Sequence, residues 1–269
     1  MHHVDLAGHA GVLDGDHRQP SGALLLDTGA CLLYTSAIFK REFRAYFTST
    51  IGYIYLAAFF AFSGFLFYSN NIAEKTTSMY SLFTYLFNAN FVLVPILTMR
   101  MYSEDKKQKT DQLLLTSPVT LGGLVGGKFL SAFSMYMCGG VVTLLYALVM
   151  SGYSAVPWGT ILTSFLGFAL AGAALIAIGG FISALTENQI VAVIISFIFN
   201  FFYILYFDTL AKAITVTPIS KAMLGLSITQ YYANFTIGLI DLPSVLFMLT
   251  LTGLFIFFTI RIIDKRRWS

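Results

Sequence analysis

Histidine is absent after position 17, and the two cysteines, Cys31 and Cys138, stand far apart. Neither a disulfide framework nor a clustered metal site can be built from them, so no metal ligands are expected. The chain has no H-E-x-x-H, no G-x-S-x-G and no pair of carboxylates within an apolar stretch. An intramembrane enzyme would lack its metal, nucleophile or acid–base pair, and no catalytic residue is expected. Charge is scarce as well: 11% of the 269 residues are Asp, Glu, Lys or Arg, where a soluble domain carries about a quarter. What is present is apolar: 57% hydrophobic and 16% aromatic residues, with a mean hydropathy of +0.76. A soluble fold of this size could not hide so much apolar surface, so the composition predicts an integral membrane protein.

Residues 1–36 differ from the remainder. They are rich in Gly, His and Asp, show no sustained periodicity, and hold all four histidines (His2, His3, His9 and His17). The start is not basic, and the longest apolar run, Ala23 to Leu26, is too short for a signal peptide. A disordered tail, or a start-site or cloning extension, is preferred over a metal site. Residues 37–269 are read as one transmembrane domain.

From Ile38 onward, hydropathy predicts six spans: Ile51–Tyr68, Tyr80–Met99, Leu124–Met150, Trp158–Leu185, Ile190–Phe207 and Pro243–Ile263. The third and fourth are long enough to tilt or to project from the lipid. One set of flanks carries Lys40, Arg41, Arg44, Arg100, Lys106, Lys107, Lys109, Lys128, Arg261, Lys265, Arg266 and Arg267; the other carries Lys75, Lys212 and Lys221. By the positive-inside rule this asymmetry places both termini and the Met99–Leu121 loop in the cytoplasm. Apart from Lys128 and Arg261 near their ends, the six spans lack charged acids and bases, which argues against a proton- or ion-coupled secondary carrier.

The segment "GGLVGGKF" (Gly122–Phe129) is one residue short of a phosphate-binding loop. Gly122, Gly127 and Lys128 fit the pattern, but Phe129 stands where the magnesium-binding hydroxyl belongs. It opens a predicted span, with no preceding strand and no soluble α/β domain. The expectation is a close-packed helix start with Lys128 snorkelling to the headgroups, and no nucleotide bound by this chain.

Upstream, Met99 to Val119 opens with a charged run and closes with Leu113, Leu114 and Leu115 before Thr116-Ser117-Pro118. Three consecutive leucines suit a short amphipathic helix docked on another protein, with Pro118 separating it from the third span. An interfacial helix resting on lipid fits the same composition. This loop resembles that of permease subunits of type-2 ABC exporters, which reads M-R-x-x-x-E-E-x-R-x-G-T-x-E-L-L-L-T-x-P-[VI]. Met99, Arg100, Glu104, Thr110, Leu113 to Leu115, Thr116, Pro118 and Val119 match, and Asp105 and Lys107 are conservative replacements. Lys109 replaces the usual glycine and Gln112 the usual glutamate. "SALTENQIVA" (Ser183–Ala192) resembles the family's turn between spans four and five. Asn234–Trp268, with its Gly-x-Ile-Asp approach and terminal Arg-Arg-Trp, resembles the last span. The nearest likeness is to the branch found in gliding-motility and nitrous-oxide-reductase clusters, and it covers about Ile38 to Trp268.

The resemblance implies an all-α polytopic protein: six spans, an N-terminal interfacial helix, a cytoplasmic coupling helix and short external re-entrant helices. It implies a coupling site of Glu104, Asp105, Lys106, Lys107, Thr110, Leu113, Leu114, Leu115 and Pro118, with Glu187 in the turn, seated on a separate ABC ATP-binding subunit. ATP and magnesium would be held by that partner and no cofactor by this chain. The permease would be a homodimer, or a heterodimer with a related permease, in a bacterial cytoplasmic membrane. A non-transporting membrane scaffold would carry the same coupling features, and no residue cluster selects a substrate. Nothing points to nucleic acid.

Three other groups stand out. In Ala37–Thr50, Phe39, Phe43, Tyr46 and Phe47 form one helical face opposite Lys40, Arg41 and Arg44. This suits a helix in the inner headgroup layer, in contact with lipid, or the positive anchor that any first span needs. Asn88, Asn90 and Asn200 are polar at membrane depth, fit either to line a pathway or to bond between helices. The small residues of Gly167–Gly180 suit close helix packing rather than a substrate path.

Overall fold

The computed structural model describes residues 21–107, 121–214 and 217–267, with side chains from residue 35 onward except at 217 and 267. Among these residues every regular element is helical, which satisfies each backbone group within its own segment where water is lacking. The order is α1 (Ser21–Thr48), α2 (Thr50–Phe67), α3 (Tyr80–Thr98), α4 (Arg100–Lys107), α5 (Leu121–Ser151), α6 (Trp158–Leu185), α7 (Gln189–Phe201), α8 (Phe207–Ala213), α9 (Thr217–Leu224), α10 (Ile228–Thr236) and α11 (Leu242–Arg267). Residues 1–20 lie outside the described residues, and α1 starts well before Ala37.

Six helices are long and apolar enough to cross a membrane: Thr50–Ile72, Tyr80–Lys107, Leu121–Ser151, Trp158–Leu185, Gln189–Ala213 and Leu242–Arg266. The expected all-α fold and its six spans are both present. Several run beyond the ends that hydropathy predicts. The first continues through a π-helical turn, Tyr68–Ile72, and the fifth through another, Phe202–Tyr206, into α8. At the first of these, polar side chains of the turn bond to the backbone on either side of it. Asn70 Nδ2 donates to the Leu66 carbonyl at 3.0 Å, and the buried Asn71 Nδ2 donates to the carbonyls of Thr76 and Ser78 at 3.2 and 3.1 Å.

Helix α6 is the hub. It packs against α3, α4, α5, α7, α10 and α11, and 67% of its most apolar stretch is buried, against 22% for the α7 span and 17% for α11. Its small residues make this possible. At Gly172 a Cβ would lie 2.1 Å from Cε1 of Tyr136, so only glycine admits that ring. Tyr136 stacks on Phe168 at 4.8 Å, and Phe59 and Phe83 close around Phe168 at 6.3 and 6.4 Å. The small face of Gly167–Gly180 is therefore filled by neighbouring side chains of the same chain. The outer helices α7 and α11 turn isoleucine, leucine and phenylalanine outward, and an apolar groove of about 740 Å³ runs between them.

The two ends of the bundle differ. At one end lie α4, the last turns of α1, the starts of α5 and α7, and the end of α11, where Arg266 meets Glu187 at 3.8 Å. The short helices α8, α9 and α10 lie at the other.

Candidate functional site

The second span does not stop at Met99. Helix α3 passes into α4 with a slight irregularity, and the Met99 amide still bonds to the Pro95 carbonyl at 3.0 Å. The Ser183 side chain of α6 and backbone carbonyls at the end of that helix hold this junction from one side. The Ser183 hydroxyl accepts from the amides of Tyr102 and Ser103, both at 3.2 Å, and donates to the Met99 carbonyl at 3.1 Å. Lys106 Nζ donates to the carbonyls of Ala184 and, at 3.4 Å, Thr186. It thereby satisfies carbonyls left open where α6 ends, at the negative pole of that helix. Asn188 then caps α7, its Oδ1 accepting from the Ile190 amide at 2.9 Å.

From the other side α4 is held by charge. Asp105 Oδ2 lies 2.7 Å from Lys128 Nζ at the start of α5, and Glu42 Oε1 of α1 lies 3.3 Å from the same nitrogen. The ammonium also stands 5.8 Å from the centre of the Tyr102 ring. Lys128 is 3% exposed. The expectation that it snorkels to the headgroups is corrected: α1 lies across the start of α5 and covers it. Gly127 makes that approach possible, since a Cβ there would come within 3.0 Å of Ile38 Cγ2 and 3.2 Å of the Thr35 carbonyl oxygen. Burial by itself would raise the pKa of Glu42. Lys128 and Arg41, whose Nη2 lies 2.7 Å from Oε1, outweigh it and hold the carboxyl below its ordinary 4.5.

A second link joins α4 to α1. Arg100 pairs with Glu104 one turn on, at 2.9 Å, and its guanidinium lies 5.4 Å from the centre of the Tyr46 ring. The Tyr46 hydroxyl donates to the Leu97 carbonyl at 3.2 Å.

The residues expected to couple to a partner are thus partly assembled. Glu104, Asp105 and Lys106 all engage neighbours of the same chain, and Lys107 is exposed at the end of α4. Glu187 is exposed in the turn beside Arg266. Thr110, Leu113, Leu114, Leu115 and Pro118 lie outside the described residues.

On α1 the expected aromatic face divides. Phe39, Phe43 and Phe47 form a half-buried ladder with ring separations of 5.6 and 5.1 Å, while Lys40, Arg41 and Arg44 are exposed. Tyr46 belongs instead with Ile38 and Glu42, one turn apart each, on the stripe that faces α4 and α5. Glu42 and Lys128 are the residues that sequence reasoning missed as a pair. The available signal was a lone acid at helical spacing from Ile38 and Tyr46 in an otherwise basic segment.

The three asparagines separate. Asn90 Nδ2 donates to the Tyr136 hydroxyl at 3.0 Å, a bond between α3 and α5. Asn200 is fully buried, and its amide finds no hydrogen-bond partner among the described residues. Asn88 lines a groove of about 430 Å³ beside Ala58, Phe62 and Tyr85.

At the other end, α10 is docked rather than free. The Tyr232 ring stacks on Phe87 at 4.1 Å and its hydroxyl donates to the Phe83 carbonyl at 2.9 Å. Ser164 of α6 donates to the Phe235 carbonyl at 3.3 Å, and Asn234 Nδ2 donates to Asp241 Oδ2 at 2.9 Å.

A comparison with curated proteins returned no match. The family model for ABC-2 family transporter protein matches residues 40–203, which takes in α2 to α7, the whole clamp on α4 and the basic part of α1. The chain is a multi-pass membrane protein that belongs to the ABC-2 transporter family, membrane permeases that normally work with an ATP-binding subunit.

Proposed function

We propose that this chain is the permease subunit of an ATP-driven exporter, in which a separate subunit hydrolyses ATP and α4 with the loop after it receives the motion. The observation that carries the reading is the clamp on α4. A charged helix continues the second span without a flexible break, and is tied on one side to α6 and on the other to α1 and α5. A lever of this kind moves the spans when pushed at its tip, whereas a loop joined by flexible chain would absorb the push. The family membership supports the same partner.

The clamped end is the cytoplasmic one in this reading, because the basic flanks gather there. ATP and magnesium belong to the partner. The permease works as a dimer, with itself or with a related permease, in a bacterial cytoplasmic membrane. The charged face of α1 lies in the inner headgroup layer, and α9 and α10 act as short re-entrant helices closing the opposite end. The loop and C-terminal motifs favour the branch associated with gliding-motility and nitrous-oxide-reductase clusters.

Replacing Leu113, Leu114 and Leu115 with serine tests the assignment. The expected result is loss of the ATP-binding subunit from the purified complex while the six-span fold is retained. Intact partner binding and undiminished ATP-driven transport would show that the loop does not dock the ATPase.

A further inference from the structure

A lysine at the end of a membrane helix needs nothing from the protein, since its stem can reach the headgroups. Lys128 is placed otherwise. It is 3% exposed, and its ammonium is shared by carboxylates from two other elements, Glu42 of α1 and Asp105 of α4. Taking an ammonium out of water is costly unless the geometry compensates, so a simple helix anchor does not explain the arrangement. Nor does packing alone: an apolar side chain at position 128 would fill the same space without two acids gathered around it. What the three charges accomplish is to join helices that reach the site from different spans. Glu42 lies on the helix that leads through Ser49 into the first span, Asp105 on the extension of the second, and Lys128 at the start of the third.

We propose that Lys128 is a positioning residue that yokes α1 and α5 to α4, so that a displacement of α4 is passed to the first and third spans together with the second. This rests on the reading of α4 as the element moved by an ATP-binding subunit. The bonds of Ser183 and Lys106 tie α4 to α6, and these are hydrogen bonds to backbone groups or from them. The charged triad supplies the connection on the opposite flank. Without it α4 could still seat on the partner, but its motion would be lost before it reached α1 and α5.

The test uses the full chain co-expressed with the ATP-binding subunit that co-purifies with it, reconstituted in lipid, with ATP hydrolysis as the readout. The wild-type complex is measured first. If no ATP-binding subunit accompanies it, the exporter reading fails, and this inference falls with it. If the complex is active, Lys128→Met should assemble with the partner yet hydrolyse ATP at least ten-fold more slowly. KM for ATP should stay within two-fold, because the nucleotide site is on the partner. Lys128→Arg should remain within about three-fold of wild type. Should Lys128→Met fail to fold, the Glu42→Gln and Asp105→Asn variants replace it. Each is expected to slow turnover three- to ten-fold, and together no more than about the loss expected of Lys128→Met. An assembled Lys128→Met complex, or an assembled Glu42→Gln/Asp105→Asn complex, with wild-type turnover would overturn the proposal. So would losses of turnover that track loss of assembly, or an assembled Lys128→Arg complex as slow as Lys128→Met.

Discussion

The two ends of the bundle are fastened by different chemistry. At the end that carries α4, the fasteners include ion pairs: Lys128 with Glu42 and Asp105, Arg100 with Glu104, Arg266 with Glu187. At the end that carries α8 to α10, no ion pair stands among the described residues, and neutral donors do the fastening: Tyr232 to the Phe83 carbonyl, Tyr203 to the Leu226 carbonyl at 2.9 Å, Thr229 to the Ile204 carbonyl at 3.1 Å, Ser227 and Asn234 to the carboxylates of Asp208 and Asp241, and stacked rings at Phe87/Tyr232 and Tyr231/Phe247. The difference follows from what each end must do. Short helices that start and stop beside lipid leave backbone groups open, and hydroxyls that bond to carbonyls close them at small cost. The other end must hold three helices in a fixed relation, and a shared lysine does so with direction as well as strength.

The largest effect expected is at the charged end. Lys128→Met removes the cation shared by two partly exposed carboxylates and should lower stability in mild detergent by roughly 1.5–3 kcal/mol, the usual worth of hydrogen bonds to a charged group. A melting temperature within error of wild type would mean that the triad is solvated rather than buried. Acid should act on the same end. The Glu42 carboxyl titrates below 4.5 in the fold, so the stability it contributes is fully present above that value and is lost as pH falls through the lower, folded value. Glu42→Gln should flatten the acid limb of a melting-temperature profile; an unchanged limb would assign it to other carboxylates.

The neutral end should yield less to any single change. Tyr232→Phe removes one buried bond, to the Phe83 carbonyl, and should cost about 1 kcal/mol. The loss should not depend on salt, and a salt-dependent loss would blur the contrast between the ends. The smallest effect belongs to Glu187→Gln. Its pair with Arg266 is exposed on both sides and is worth about 0–1 kcal/mol, less in high salt.

Much of this was legible in the sequence, because lipid imposes strong rules. Six apolar stretches became six spans, and the glycines and alanines of α6 became the seat for Tyr136 and its neighbours. The places where the sequence misled are those where a side chain from a remote segment acts. Met99 reads as the end of a span because Arg100, Glu104 and Asp105 are charged, yet α4 continues, held by Ser183 eighty residues away in the chain. Lys128 reads as a lipid anchor because no local pattern reveals that α1 will cover it. The first span, expected to end at Tyr68, runs on as a π turn, where Asn70 bonds back to the Leu66 carbonyl and Asn71 forward to those of Thr76 and Ser78.

One measurement bears most directly on the claim that the charged end receives an ATP-binding subunit. A photocrosslinking amino acid is placed at Lys107, exposed at the tip of α4, and separately at Lys221, exposed on α9. Irradiation of native membranes should yield an adduct from position 107 with a soluble protein that bears a complete phosphate-binding loop, and no such adduct from position 221. That adduct forming from 221, or failing to form from 107 while the chain remains folded, would contradict the account.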